Sequence, residues 1–322
     1  MYPKSIDSLM KNMRDKKGIH IKGSLQKKKL RYMGYFHGYK GYRYCNSPNS
    51  LLPYTDFNEL QAVYDFDMKI KAVLYPQIMF LETTLKNFAL EVIISEVNSD
   101  RFTDIYSKAL NEYKAYPVGS SDYKKFISKT MSIRNKIYND ISRDYGSSNI
   151  VTHYYDKDRP VPIWAIFEII SLGEFGYFIS CLNSTVRARI SSSVGIKSSV
   201  DPDLRMVEKI VFTLKDLRNA VAHNNTIFDT RFKTGAVNSR ISKYISSETG
   251  ITNITFNSIV DYIILIAFVM SLLQCNKTDI IGFIRQFEDA CATFRKSVPM
   301  AIYSKIIFTD TKNKLNAIKN FL

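Results

Sequence analysis

The chain of 322 residues predicts an all-α fold, a bundle of helices with a basic accessory segment at its N-terminus. Two observations carry that expectation. Apolar residues recur at spacings of three, four and seven through most of the chain, and no sustained alternation marks a strand. Helix-start signals also stand where these patterns begin: Asp56 with Glu59 three residues on, and Asp201 followed by Pro202. Apolar residues make up 45% of the chain, enough for a proper core, and no internal repeat is visible.

Residues 1–55 form the basic, Tyr- and Gly-rich segment. Its first 43 residues hold twelve Lys or Arg against Asp7 and Asp15, a local +10 of the net +15. That charge points to a polyanionic partner, with nucleic acid first and an anionic membrane second. Tyr32, Tyr35, Phe36, Tyr39, Tyr42 and Tyr44 lie among the cations. Cations for phosphates beside rings for bases are the ingredients of single-stranded RNA binding. The expected RNA contacts are Lys22, Lys27, Lys28, Lys29, Arg31, Tyr35, His37, Tyr39, Lys40 and Arg43. The Tyr-Gly run can equally be a tight turn packed on the core. Lys27 to Lys29 are expected to face RNA, and the tyrosines to be mainly structural.

Residues 56–295 carry the helical domain. A helix opens at Asp56 and runs to about Ser95, with a kink expected near Pro76. Leu60, Val63, Ile70, Leu74, Ile78, Leu81 and Leu85 give it helical spacing. The Lys-rich stretch from Tyr106 to Tyr145 reads as one or two exposed helices. A turn around Arg159 to Pro162 precedes an apolar helix from Ile163 to Cys181, in which Trp164 is expected in the core. A polar helix and loop follow, from Ser184 to Val200. The helix from Asp201 to Asn224 comes next. Residues 229–257, with Gly235, Gly250 and many Ser and Thr, read as a loop or short hairpin. Arg231, Lys233, Arg240 and Lys243 there would extend the basic surface. Apolar helices over about 257–274 and 278–291 close the core, and the basic residues 296–322 are expected to be helical.

The four cysteines are widely spaced, with no CxxC pair and no Cys/His grouping at zinc spacing, so neither a metal nor a cofactor is expected. No signal peptide is visible. The most apolar run, Tyr262 to Leu273, is far shorter than the roughly 20 residues a membrane span needs. A reduced, cytoplasmic protein without membrane contact is the expectation.

The chemistry concentrates in Arg218-Asn219-Ala220-Val221-Ala222-His223, in a chain with only four His. Leu204, Val207, Val211, Leu214 and Val221 give the helix an apolar stripe, and Arg218 is expected to fall on it. A fixed charge there is costly unless paired; Glu168, among apolar residues, is a candidate partner for Arg218 or for another buried donor. A His suits proton transfer near neutral pH. An Arg offers a permanently charged fork to phosphate oxygens, and Asn219 can orient either. Together they are the minimum kit for attack of a ribose 2′-OH on the adjacent phosphate. Asn219 and His223 share a helix face, whereas Arg218 and His223 are roughly 140° apart around an ideal helix. Two copies brought together across a two-fold axis would complete the site, which favours a homodimer. Arg31 and His37 also match the pattern, but in a Gly- and Tyr-rich stretch, and are read as coincidental. His153 is expected to be structural or to touch RNA.

An Arg, a polar residue beside it and a His four to six residues further on resemble the active-site motif of the HEPN superfamily of ribonucleases. Other stretches resemble abortive-infection proteins of the AbiD/AbiF type (the Abi_2 family) within that superfamily. They are residues 33–44 (MGYFHGYKGYRY), Tyr64 to Lys69 (YDFDMK), Met79 to Glu82 leading to Leu85-Lys86-Asn87, His153-Tyr154-Tyr155, Pro162 to Glu168 with Ser171-Leu172-Gly173, and Leu217-Arg218-Asn219 with Ala222-His223-Asn224. Their order and spacing cover roughly residues 20 to 290. The resemblance implies a HEPN-like bundle and a phage-defence or toxin role in a bacterial cytoplasm, with RNA as target and a small noncoding RNA as partner. Relatives commonly carry a second His and an Arg-Leu-Trp-Asn-like run after the motif, where Asn224 to Asp229 stand here. Asn225 replaces the Tyr that adenylylation-controlled relatives carry, so that control is not expected. The implied activity is a metal-independent endoribonuclease with Arg218, Asn219 and His223 as catalytic residues. The alternative is a non-catalytic RNA-binding module that sequesters or senses RNA.

Overall fold

Side-chain caps set many of the helix starts. Ser5, Ser120, Ser171, Asn183, Ser258 and Asn276 each accept a backbone amide two or three residues on, satisfying a donor that the first turn leaves unpaired. A computed structural model describes residues 5–322; Lys4, one of the twelve N-terminal cations, lies outside them. In chain order the helices are α1 (Ile6–Lys17), α2 (Gly23–Met33), α3 (Phe57–Val97), α4 (Phe102–Lys108), α5 (Ser121–Asp144), α6 (Asn149–Tyr155), α7 (Ile163–Ile169) and α8 (Leu172–Cys181). They continue with α9 (Ser184–Ser193), α10 (Met206–Ala222), α11 (Ser239–Thr249), α12 (Ile259–Leu272), α13 (Lys277–Ser297), α14 (Met300–Ile306) and α15 (Thr311–Phe321). No strand occurs among the described residues, only isolated bridges. The protein is all-α, as the periodicity predicts.

Several expectations are corrected. The Tyr-Gly stretch is not a turn: Gly34–Lys40 form a π-helical segment continuing α2. The apolar run from Ile163 to Cys181 is two helices, because Ser171 and Glu174 form a capping box that starts α8 afresh. The expected loop or hairpin at 229–257 contains α11. Its buried Ile241, Tyr244 and Ile245 fall at helical spacing among serines, and Asn238 accepts the Arg240 amide at its start. Trp164 is 38% exposed, since Ile163, Ala165, Ile166 and Phe167 supply the buried side of the short α7. Glu168 is likewise exposed.

The chain divides into two units. One comprises the described residues up to Ile78, Asp216–Val237 and Ile245–Leu322. Its core centres on α12, buried from Ile259 to Met270 and packed on α13 and α15. No helix is long and apolar enough to cross a membrane among the described residues. Lys314 reaches into this core to pair with the fully buried Asp261 at 2.9 Å, and Asp261 also accepts the amides of Thr255 and Phe256. The other unit comprises Met79–Lys215 and Asn238–Tyr244, with α5 packed on α7 and α8. There Glu112 is buried between Arg187 and Arg205, 2.8 and 3.0 Å away, so each buried charge has a partner.

Candidate active site

The motif helix α10 starts later than the sequence suggests. Leu204 adopts a left-handed conformation (φ 55°), so the helix cannot run through from Pro202. Asp201 still caps it, accepting the amides of Arg205 and Met206 at 2.9 and 3.0 Å, while Ser191 donates to its other oxygen. The buried face is Met206, Val207, Ile210, Val211, Leu214, Leu217 and Val221. Arg218 falls on this face, four residues after Leu214 and three before Val221 as the spacing predicts, and is only partly exposed. Asn219 and His223 are exposed. The Arg218 guanidinium lies 3.4 Å from the Asn219 side-chain oxygen, a long hydrogen bond between the two polar motif residues.

The helix ends in a Schellman turn. The Asn225 amide donates to the Ala220 carbonyl at 2.8 Å and the Asn224 amide to that of Val221 at 3.2 Å. Asn224 takes the left-handed conformation this requires (φ 54°), a role that Asn fills when Gly is absent. His223 is thus the last residue before the reversal, its own amide bonded to the Asn219 carbonyl at 2.9 Å.

A buried polar centre fixes that turn. Asp67 on α3 is fully buried. One of its oxygens accepts the amides of Ile227 and Phe228 at 2.9 and 2.8 Å. The other accepts the Tyr42 hydroxyl at 2.6 Å and pairs with Lys71 at 2.8 Å. Lys71, one turn along α3, also donates to the Asn224 side chain at 2.9 Å. Burial first, and then the Asp67 charge, push the Tyr42 phenol far above its ordinary value, so it stays a donor. Just beyond, Arg231 pairs with the buried Asp229 and donates to the carbonyls of Gly41 and Tyr44 at 2.9 and 2.7 Å. Its guanidinium also lies over the Tyr44 ring, 4.1 Å from the centroid. Asn224 ends the helix as the sequence suggests, and Asp67 stands in one of the family-like stretches, but their side-chain partnership with Lys71 escaped the sequence reading. The signal was Asp67 itself, an acid at a core-facing position of α3 four residues before a Lys.

The proposed RNA contacts divide. Lys22, Lys28, Arg31, His37 and Lys40 are exposed. Lys27 is pinned by Asp7 at 2.7 Å, and Lys29 lines a separate cavity between α3 and α13. Tyr39 is buried and offers no ring face to solvent, which corrects its place among the contacts. Tyr35 is partly covered, and Lys40 lies over its ring. His37, Lys40 and Arg43 come together on a cavity of about 380 Å³ whose far wall is Asn224, Asn225 and Thr226. The structure therefore joins part of the N-terminal set to the residues that follow the motif. Arg231 and Lys233 are corrected too. Arg231 is the clamp just described, and Lys233 donates to the Phe256 carbonyl at 2.7 Å. Arg240 pairs with Asp203, while Lys243 is exposed.

Neither the comparison with curated proteins nor that with solved structures returned a match. The sequence model of the Abi-like protein family matches residues 28–229, nearly two thirds of the chain. The matched span includes the π-helical segment, Asp67, Lys71, the whole of α10 and the turn after it. The chain belongs to the Abi-like protein family, and with it to the abortive-infection proteins of phage defence.

Proposed function

We propose that the protein is a metal-independent endoribonuclease of the HEPN type. The observation that carries this reading is the placement of Asn219 and His223, exposed at the end of a helix whose last turn is braced by buried Asp67 and Lys71. Such bracing holds a catalytic side chain in place while leaving it open to substrate. In the proposed reaction a 2′-OH loses its proton to His223, and the 2′-oxygen attacks the adjacent phosphorus. The bond to the 5′-oxygen breaks, that oxygen takes up a proton, and a 2′,3′-cyclic phosphate remains. Arg218 neutralises the charge building on the phosphate, and Asn219 orients the pair.

Arg218 and His223 lie on different sides of α10, which supports a homodimer in which the motifs of two chains face one another. A small noncoding RNA is the proposed regulator, with the N-terminal cations as its docking surface. The test is incubation of nucleic-acid-free protein with total cellular RNA in excess EDTA, beside His223→Ala. Cleavage by the wild type alone, with cyclic-phosphate ends, is the expected result; equal cleavage by His223→Ala rejects the reading. The second reading, an RNA-binding module without catalysis, is favoured by the +10 charge of the first 43 residues. It predicts salt-sensitive binding with the RNA recovered intact.

A further inference from the structure

The cavity between the π-helical segment and the turn after α10 has the composition of a nucleotide site. Its volume of about 380 Å³ is at the small end of the range for ligand pockets. No carboxylate lines it among the described residues, although the chain carries 30 Asp and Glu. Instead Lys40 and Arg43 are present, with His37 beside them. The Arg43 Nε is closed to solvent and has no hydrogen-bond partner among the described residues, so no protein acceptor holds the guanidinium at that atom; a phosphate would meet its other N–H groups from the cavity side.

Rings border the same space. Phe36 is 70% exposed, a cost to a free surface unless a flat apolar ligand covers it, and Tyr44 and Tyr64 stand with it in the lining. The Asn225 side-chain amide provides a paired donor and acceptor of the kind that read base edges, while Asn224, its oxygen held by Lys71, adds an NH2 donor. A Cβ on Gly41 would come within 3.2 Å of the Thr226 hydroxyl, so the two walls approach closely at one end.

We infer that this cavity binds one nucleotide of a single-stranded RNA, its phosphate on Lys40 and Arg43 and its base against Phe36. The site deepens the proposed ribonuclease reading, on which its role beside His223 rests. Asn224 lines the cavity, follows His223 directly and ends its helix. An RNA strand held there passes the motif, and the cavity becomes a subsite for a nucleotide next to the scissile phosphate.

The experiment measures binding of a fluorescent tetranucleotide of RNA to full-length protein, by anisotropy at fixed salt. All binding variants carry His223→Ala, so the probe stays intact. Lys40→Ala and Phe36→Ala alter exposed side chains and are expected to weaken binding about tenfold each, as loss of a phosphate contact or a base stack does. Lys124→Ala removes the same charge from an exposed position of α5 outside the cavity and is expected to change binding less than twofold. A tetranucleotide with abasic positions should lose about tenfold on the wild-type cavity and nothing further on Phe36→Ala. Equal losses in Lys40→Ala and Lys124→Ala would mean diffuse electrostatics and overturn the site. So would unchanged binding in Phe36→Ala. If wild-type protein does not cleave RNA but the tetranucleotide still binds through Lys40 and Phe36, the ribonuclease reading fails and the nucleotide site stands.

Discussion

Lys71 donates to the side-chain oxygen of Asn224 across 2.9 Å, tying the long α3 to the residue that turns the chain after His223. The same ammonium pairs with Asp67, whose other oxygen takes two backbone amides from the turn. The geometry around the candidate histidine is therefore set by residues that precede it by about 150 positions in the sequence.

Removing the Asp67 charge breaks this centre. In Asp67→Ala, Lys71 stays buried without its counter-ion and two amides lose their acceptor. A loss of about 3–5 kcal/mol in urea unfolding is expected, the usual effect of breaking one side of a buried pair. A change within 0.5 kcal/mol would mean that the turn is held some other way.

Asn224 separates backbone from side-chain demands. Asn224→Gly keeps the left-handed turn and gives up only the Lys71 contact, whereas Asn224→Ala strains the backbone as well. The alanine variant should be less stable than the glycine variant by about 1–2 kcal/mol, the cost of that conformation for a residue with a Cβ. Thermal melts of the two proteins side by side check the order.

His223 and Arg218 should matter to chemistry far more than to folding. His223→Ala, at an exposed position, is expected to unfold within about 0.5 kcal/mol of the wild type. Its RNA cleavage should fall by roughly 10²–10⁴, the contribution of a positioned acid–base group. Loss of activity together with loss of fold would place His223 in the structure instead.

A shared site makes a mixing prediction. Arg218→Ala and His223→Ala proteins, each inactive alone, should regain activity when unfolded and refolded together. Half the random dimers are mixed and each carries one complete pairing, so recovery should reach roughly a quarter of wild type. No recovery would place Arg218 and His223 of the same chain in one site.

The cysteines give a pH prediction. Burial pushes the Cys45 and Cys291 thiols up to about 12. Both should resist alkylation by iodoacetamide at pH 8, where the half-buried Cys275 reacts first. In the unfolded chain these thiols ionise near the ordinary value of about 8.5. Their folded pKa is the higher, so the native state holds more protons between the two values. Stability should thus be full below about pH 8.5 and fall as pH rises toward 12, seen in urea titrations from pH 7 to 10.5.

The class of fold was legible because it rests on periodicity. Leu60, Val63, Ile70, Leu74 and Ile78 are all buried along α3, as their spacing requires. The errors came where a local signal outweighed the period. Ser171 with Glu174 divides an apolar run that by hydropathy alone looks continuous, and serines masked the Ile241, Tyr244 and Ile245 face of α11. The motif was legible as residues, not as surroundings. Arg231 looked like surface charge because its partners, Asp229 and the carbonyls of Gly41 and Tyr44, include groups that no sequence pattern reveals. Asp67 is of the same kind, since its amide donors lie 160 and 161 residues away.

That separation bears on how the protein is made. A ribosome releases Tyr42 and Asp67 well before Ile227 and Phe228 exist, and the Asp67 carboxylate must wait for both amides. A translation product that ends between residues 224 and 226 contains every motif residue yet cannot brace the turn behind His223. Elongation past Phe228 is thus a prerequisite for the braced turn, and incomplete chains carry the motif in an unsupported form.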